Sequence, residues 1–332
     1  MSFRDQVLNL AKEANGSKKT VHDRQVVVAL LADYLQKCNI QIKDIVHLKS
    51  KHIQGYLESR LDIDGISKRT GQNELACIRS VLRKSGHEKM ADADRISNKT
   101  LGLSGASREG TKTAIPNDMF REQLAVIESI DKGVASCIML ERLLGLRGEE
   151  AVQSVKSLET WAASLEKSDK ITVIFGTKGG RPRDTHVMHV ERAREIIAMA
   201  IERANEHGWR LVDRPDLKTA MNRYSYVLRS NGFTGQYSPH SMRYAYARDR
   251  YNAYIQKGFS EKESLAMTSM DLGHGDGRGD YVKRVYFKVK QGIRIIASNF
   301  TRLTGNNPLS ILTYPNIKKY NYCEKSILDY LM

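Results

Sequence analysis

The 332 residues are 41% hydrophobic and 27% charged, enough to build ordinary cores in roughly two domains, which excludes a globally disordered chain. The formal net charge is +15 and the isoelectric point about 9.6; residues 1–110 hold 19 Lys and Arg against 13 Asp and Glu, a balance of +6, which leaves +9 for the remainder. Two basic halves suit a protein that grips a polyanion from two sides, with a solvated basic surface as the plainer alternative.

Residues 3–86 are predicted to be helical. Val7, Leu8, Leu10 and Ala11 give one apolar stripe, and Val26, Val27, Ala29, Leu30, Leu31 and Leu35 a longer one. Ile53, Tyr56 and Leu57 mark a third helix, and Leu75, Ile78, Val81 and Leu82 a fourth. The spacing is amphipathic and predicts a compact bundle of four or five helices, a helical N-terminal domain over residues 1–90. Lys18, Lys19, Lys49, Lys51, Lys68 and Arg69 fall near helix starts or in loops, where backbone N–H groups and cationic side chains can meet phosphates together. For any one of them, a solvated helix end is the plainer reading.

Residues 91–114 are rich in small, polar and turn-forming residues and are expected to be an interdomain linker. A mixed domain is expected over 115–290. Helices are predicted at 117–130, 134–145 and 148–156, then a strand at Lys170–Phe175, a glycine-rich turn, and a returning strand at Thr185–Met188. Further helices are predicted at about 190–207, 216–231, 239–257 and 260–272. The fold class is therefore mainly α with a small β-sheet. Residues 291–332 form a C-terminal tail ending in a short apolar cluster, expected to pack on its own domain or on a neighbouring protomer.

Cys38, Cys77, Cys137 and Cys323 are far apart and form no C-x-x-C pair, which argues against a structural zinc site and for a reducing compartment. No stretch approaches 18 apolar residues and the N-terminus carries no export pattern, so no membrane partner and a cytoplasmic location are expected.

Five candidate groups stand in fixed order in the second half. Arg147 lies in Leu143-Leu144-Gly145-Leu146-Arg147-Gly148-Glu149-Glu150; a guanidinium is a planar fork that matches two phosphate oxygens. Glu150 shares its helix face and can orient it, although a surface ion pair fits the same spacing. Lys178 sits in Gly176-Thr177-Lys178-Gly179-Gly180, a hairpin tip that lacks the nucleotide-loop pattern. Arg181 and Arg183 beside it read as ordinary phosphate contacts. His240 and Arg243 follow Ser238-Pro239, a helix-start signal, so both lie on one face near a positive helix end. His274 lies in Leu272-Gly273-His274, and Tyr281 and Tyr286 follow it. A phenol is only about one thousandth ionised at neutral pH and costs roughly 4 kcal/mol to ionise, so a tyrosine nucleophile needs the field of such cations. No acidic cluster has metal-ligand spacing, which disfavours a two-metal nuclease.

In this order the groups resemble the catalytic set of the tyrosine recombinase (phage integrase) family. The resemblance implies a helical core-binding domain followed by a catalytic domain. It implies Arg147 and Arg243 as phosphate clamps, Lys178 as the acid for the departing 5′ oxygen, His240 as an aid to proton movement and His274 as a lining of the phosphate site. The family nucleophile most often stands nine residues after that histidine, yet position 283 is a lysine. The glycine-rich segment 275–280 reads as an enlarged loop, and counting past it selects Tyr286, with Tyr281 as the alternative. In layout the chain is similar to the simpler Xer/Cre-like members, without the extra arm-binding domain of larger integrases. The implied function is site-specific recombination through a 3′-phosphotyrosine and a Holliday junction, used to integrate or excise a mobile element. The implied partners are a double-stranded DNA site, a homotetramer on that DNA, nucleoid association, and an accessory DNA-bending or directionality factor; no cofactor or metal is implied. A non-catalytic DNA-binding protein of the same fold and a type IB topoisomerase-like enzyme are the alternatives.

Overall fold

The structure, a computed structural model, describes residues 1–287, which divide into one unit of Met1–Ser107 and a second that starts at Arg108. The C-terminal tail expected at 291–332 lies outside the described residues.

The first unit is a bundle of α1 (Phe3–Glu13), α2 (Lys18–Lys37), α3 (Ser50–Asp62), α4 (Lys68–Lys84) and the short α5 (Glu88–Ala91). Three of its helices, α1, α2 and α4, begin where a hydroxyl can take an orphan backbone donor. Ser2 accepts from the N–H of Asp5, Ser17 from Thr20 and Ser67 from Thr70, each cap worth about 1 kcal/mol. The apolar stripes meet inside: Val7, Val28, Leu31, Leu35, Ile53, Leu57, Leu75, Ile78 and Leu82 are all buried. Buried Arg24 donates to the carbonyls of Ala11, Ala14 and Asn15, closing the C-terminal end of α1.

The expected linker is packed at both ends. Ala91, Ile96 and Leu103 lie in the first core, and the side-chain amide of Gln72 donates to the carbonyl of Leu103 at 2.7 Å. Ala114 and Ile115 belong to the second core. A few apolar side chains decide this, and they are diluted in a segment whose average composition is that of a loop.

The second unit contains α6 (Asn117–Ile130), α7 (Lys132–Leu144), α8 (Gly148–Val152), α9 (Leu158–Leu165), β1 (Lys170–Val173), β2 (Arg183–His186), α10 (Val190–Glu206), α11 (Leu217–Ser230), α12 (His240–Gln256), α13 (Glu261–Asp271) and α14 (Gly279–Tyr286). Every residue of α7 from Gly133 to Leu144 is buried, and α6, α8, α10 and α12 pack against it. A helix covered on all sides has no need of a polar face, which is why this segment reads as an apolar run and not a stripe. Sequence periodicity did not anticipate α9. It has only two turns, and it is held by Leu158, Trp161 and Leu165, with the Trp161 indole donating to the carbonyl of Thr172 in β1 at 2.8 Å.

The two strands are antiparallel, pairing Lys170 with His186, Ile171 with Thr185, Thr172 with Asp184 and Val173 with Arg183. The return strand thus begins two residues earlier than expected. Arg183 and Thr185 face inward while Asp184 faces solvent. No helix among the described residues is long and apolar enough to cross a membrane.

Candidate active site

The site grows from the turn between α7 and α8. Gly145 ends α7 with φ of 61°, and a Cβ there would lie 2.3 Å from the Tyr246 ring, so both conformation and space demand glycine. Arg147 is the N-cap of α8, and Glu150 reaches back to accept its backbone N–H at 2.9 Å. The other carboxylate oxygen of Glu150 takes Nη1 of Arg147 at 2.5 Å. Arg183 approaches the same carboxylate from β2, with Nη2 2.9 Å away, and Arg243 from α12, with Nη1 at 4.0 Å. Three guanidiniums therefore converge on one carboxylate. Burial alone would push Glu150 up, but Arg183, Arg243 and Arg147 outweigh it and hold it below the usual carboxylate range. Two positive charges remain in excess, a field suited to an anion.

Arg243 is fully buried. It donates to the carbonyls of Gly145 and Leu272, and its Nε lies 3.4 Å from the hydroxyl of Tyr286. Arg147 keeps a quarter of its side chain exposed. The arginine pair thus combines one anchored guanidinium with one that reaches outward.

His274 follows Gly273 at the end of α13, and its Nε2 lies 3.0 Å from the Tyr286 hydroxyl. Tyr286, in the last turn of α14, is buried, its ring 4.5 Å from that of Tyr244. Tyr281 sits edge-on to the His274 ring at 4.9 Å. The His240 ring lies 6.4 Å from that of Tyr286. The hydroxyl that meets both His274 and Arg243 is therefore that of Tyr286.

Both histidines are held neutral. Burial, then Arg243 and Arg147, press His274 down to about 3. His240 is exposed, yet the packing on one side of its ring, followed by Arg243 and Arg147, lowers it to about 4. With the arginine charges uncompensated these imidazoles are weak bases, and an anion held among the arginines raises their basicity. The same depression ties stability to pH. The unfolded chain binds these protons as pH falls through 6.5 and the folded one only near 4 or below, so stability present above 6.5 is lost across that window. Thermal melts from neutral pH down to about pH 4.5 should show the transition falling, less steeply in His274→Asn; parallel slopes would show that His274 is not held neutral.

The remaining sequence candidates are dispersed. Lys178 is exposed at the hairpin tip, and Arg181 is exposed beside it. Arg183, expected as a surface phosphate contact, is instead only 7% exposed, because its strand turns it inward toward Glu150. In the first unit, Lys18, Lys19, Lys49, Lys51, Lys68 and Arg69 are exposed at or before the first turns of α2, α3 and α4. Lys19 pairs with Asp23, and Arg69 donates to Gln72.

Sequence reasoning missed two parts of this region. Lys112 donates to the carbonyl of Gly235 at 2.8 Å, and its charge contributes to lowering His240. Asp271 accepts from Arg250 at 2.7 Å, Tyr254 at 2.8 Å and the backbone N–H of His186 at 3.2 Å, tying α12 and β2 to the end of α13. An acidic residue three places before His274, in an otherwise uncharged stretch from Ser264, was the available signal.

Comparison with known proteins follows the same division of the chain. The family description "Phage integrase, N-terminal" matches residues 2–91, and "Integrase" matches residues 102–249. No curated protein sequence matches significantly. Among solved structures, the chain is similar to the λ integrase of a tetramer bound to a Holliday junction, at 14% identity over 84% of this chain and 75% of that one, with a TM-score of 0.53. It is also similar to the Tn1549 transposon integrase in complex with transposon right-end DNA, at 14% identity over 92% of this chain and all of that one, with a TM-score of 0.52. At this identity the structural likeness speaks for the fold, mainly helical with a small sheet. With both family descriptions matched in order, the chain belongs to the phage integrase family, the site-specific tyrosine recombinases.

Proposed function

We propose that this protein cuts and rejoins duplex DNA at specific sites, with Tyr286 as the nucleophile. The observation that carries the reading is the Tyr286 hydroxyl within hydrogen-bond reach of His274 and Arg243, beside three guanidiniums that share one carboxylate. The Tyr286 oxygen attacks the scissile phosphorus, and its proton leaves along the hydrogen bond to His274, whose basicity rises once the negative phosphate offsets the arginines. His240, held neutral nearby, assists proton movement. Arg147 and Arg243 hold the non-bridging oxygens as charge builds on them. The bond from phosphorus to the 5′ oxygen breaks, Lys178 protonates that oxygen, and a 3′-phosphotyrosine stores the linkage. The 5′-hydroxyl of a partner strand then attacks the phosphotyrosine and releases Tyr286. Two such exchanges through a Holliday junction require four protomers on DNA, with an accessory DNA-bending or directionality factor as a further partner. The exposed cations of the first unit, with Arg181, contact the backbone of the site. The λ and Tn1549 relatives support integration or excision of a mobile element as the use.

The test is a duplex nicked beside the cleavage site, from which the cut fragment diffuses and traps the covalent complex. A denaturant-stable adduct is expected, and its absence on the native site would leave a DNA-binding protein of the same fold. Resolution of a synthetic Holliday junction is also expected; relaxation of supercoiled plasmid without it would mark a topoisomerase. Lys178 has its own test. A 5′-bridging sulfur leaves without a proton, so Lys178→Ala should cleave ordinary DNA about 100-fold slower than wild type and the sulfur substrate at close to the wild-type rate. Equal defects on both would remove Lys178 from the acid role.

A further inference from the structure

Arg183 lies outside the set of groups that touch the phosphate in the reading above, yet it contacts three of the segments that carry them. Its Nη2 donates to Glu150 in α8 at 2.9 Å and to the carbonyl of Gly145, in the turn that presents Arg147, at 3.3 Å. Its Nη1 donates to the carbonyl of Asp271 at 2.6 Å, three residues before His274, and to the hydroxyl of Thr185 in its own strand. Thr185 in turn donates to the same Asp271 carbonyl at 3.0 Å. Gly273, with φ of 67°, folds directly over the arginine stem, since a Cβ there would lie 2.4 Å from Cδ of Arg183.

Stability does not account for a buried guanidinium at this place. Taking such a charge out of water is costly, and apolar replacements of buried ion pairs are often neutral or stabilising. What an apolar residue could not do is hold four separate backbone and side-chain acceptors at once, and a lysine lacks the planar fork to span them. The carboxylate it holds is the one that fixes Arg147 through two hydrogen bonds.

We propose that Arg183 is a positioning residue for the phosphate site, setting the reach of Arg147 through Glu150 and locking that turn to the strand and loop that lead to Lys178 and His274. This rests on the recombinase reading and adds a residue that acts without touching DNA.

The test compares strand cleavage of a normal scissile phosphate with that of a methylphosphonate, in which a methyl group replaces one charged oxygen. Cleavage of the neutral group has less need of a guanidinium to neutralise charge. Arg183→Lys should therefore be about 100-fold slow on the phosphate, as a displacement of about 1 Å in a catalytic group would cause, with half-site binding nearly unchanged. On the methylphosphonate the defect should shrink to within about fivefold, following the pattern of Arg147→Ala. Thr185→Val, which keeps the side-chain shape and removes one acceptor, should show the same pattern more weakly, about fivefold on the phosphate. It serves as the decisive variant if Arg183→Lys does not fold. Equal losses on both substrates, or none on either, would overturn the positioning role while leaving the recombinase reading intact. Failure of wild type to cleave either substrate would overturn that reading itself.

Discussion

Tyr286→Phe is expected to abolish the covalent adduct with DNA while leaving DNA binding within about threefold of wild type, because the lost hydroxyl is the attacking group and the ring that packs against Tyr244 is retained. Tyr281→Phe should still form adduct, within about tenfold of wild type, since Tyr281 meets His274 through its ring. Two readouts are needed, a denaturing gel for the adduct and a gel shift for affinity. Peptide mapping of the trapped complex then identifies the modified residue. Phosphotyrosine at position 281, or full adduct formation by Tyr286→Phe, would refute the assignment.

The second large effect is expected at the arginines, and the two should behave differently. Arg147 touches Glu150 and is partly exposed, so Arg147→Ala should fold normally. Its single-turnover cleavage should fall about 1,000-fold, as when one donor to a developing oxyanion is removed. Binding should change only a few-fold, because many other phosphate contacts remain. Arg243 is fully buried and donates to two backbone carbonyls as well as lying beside Tyr286. Arg243→Ala should therefore lose cleavage to a similar degree and also lower the melting temperature, since each carbonyl left without a partner costs about 1–3 kcal/mol. Near wild-type cleavage by Arg147→Ala would end the clamp model. An unchanged melting temperature in Arg243→Ala would show that its carbonyl contacts add nothing to stability.

The fold class and the order of the long helices and the hairpin were legible in local sequence patterns. Most long helices declare themselves through local spacing, and some also through a capping residue, as Ser17 does for α2 and Ser67 for α4. The glycine-rich tip between two β-rich stretches likewise marks the hairpin around Lys178. Such signals are local and survive without knowledge of what lies across the core. Contacts far apart in the chain decided the rest. Arg183 and Arg181 look alike in sequence, but only Arg183 falls on the inward side of β2, where a carboxylate 33 residues away receives it. Tyr281 and Tyr286 both follow the glycine-rich loop. The turns of α14 aim one hydroxyl at His274 and Arg243 and set the other ring against the His274 face. Leu103 and Ile96 lie in a segment with the composition of a loop, yet they are core residues because the first unit has apolar surface to offer them. Composition and periodicity describe what a segment can do alone; burial and pairing depend on partners that only the folded chain brings within reach.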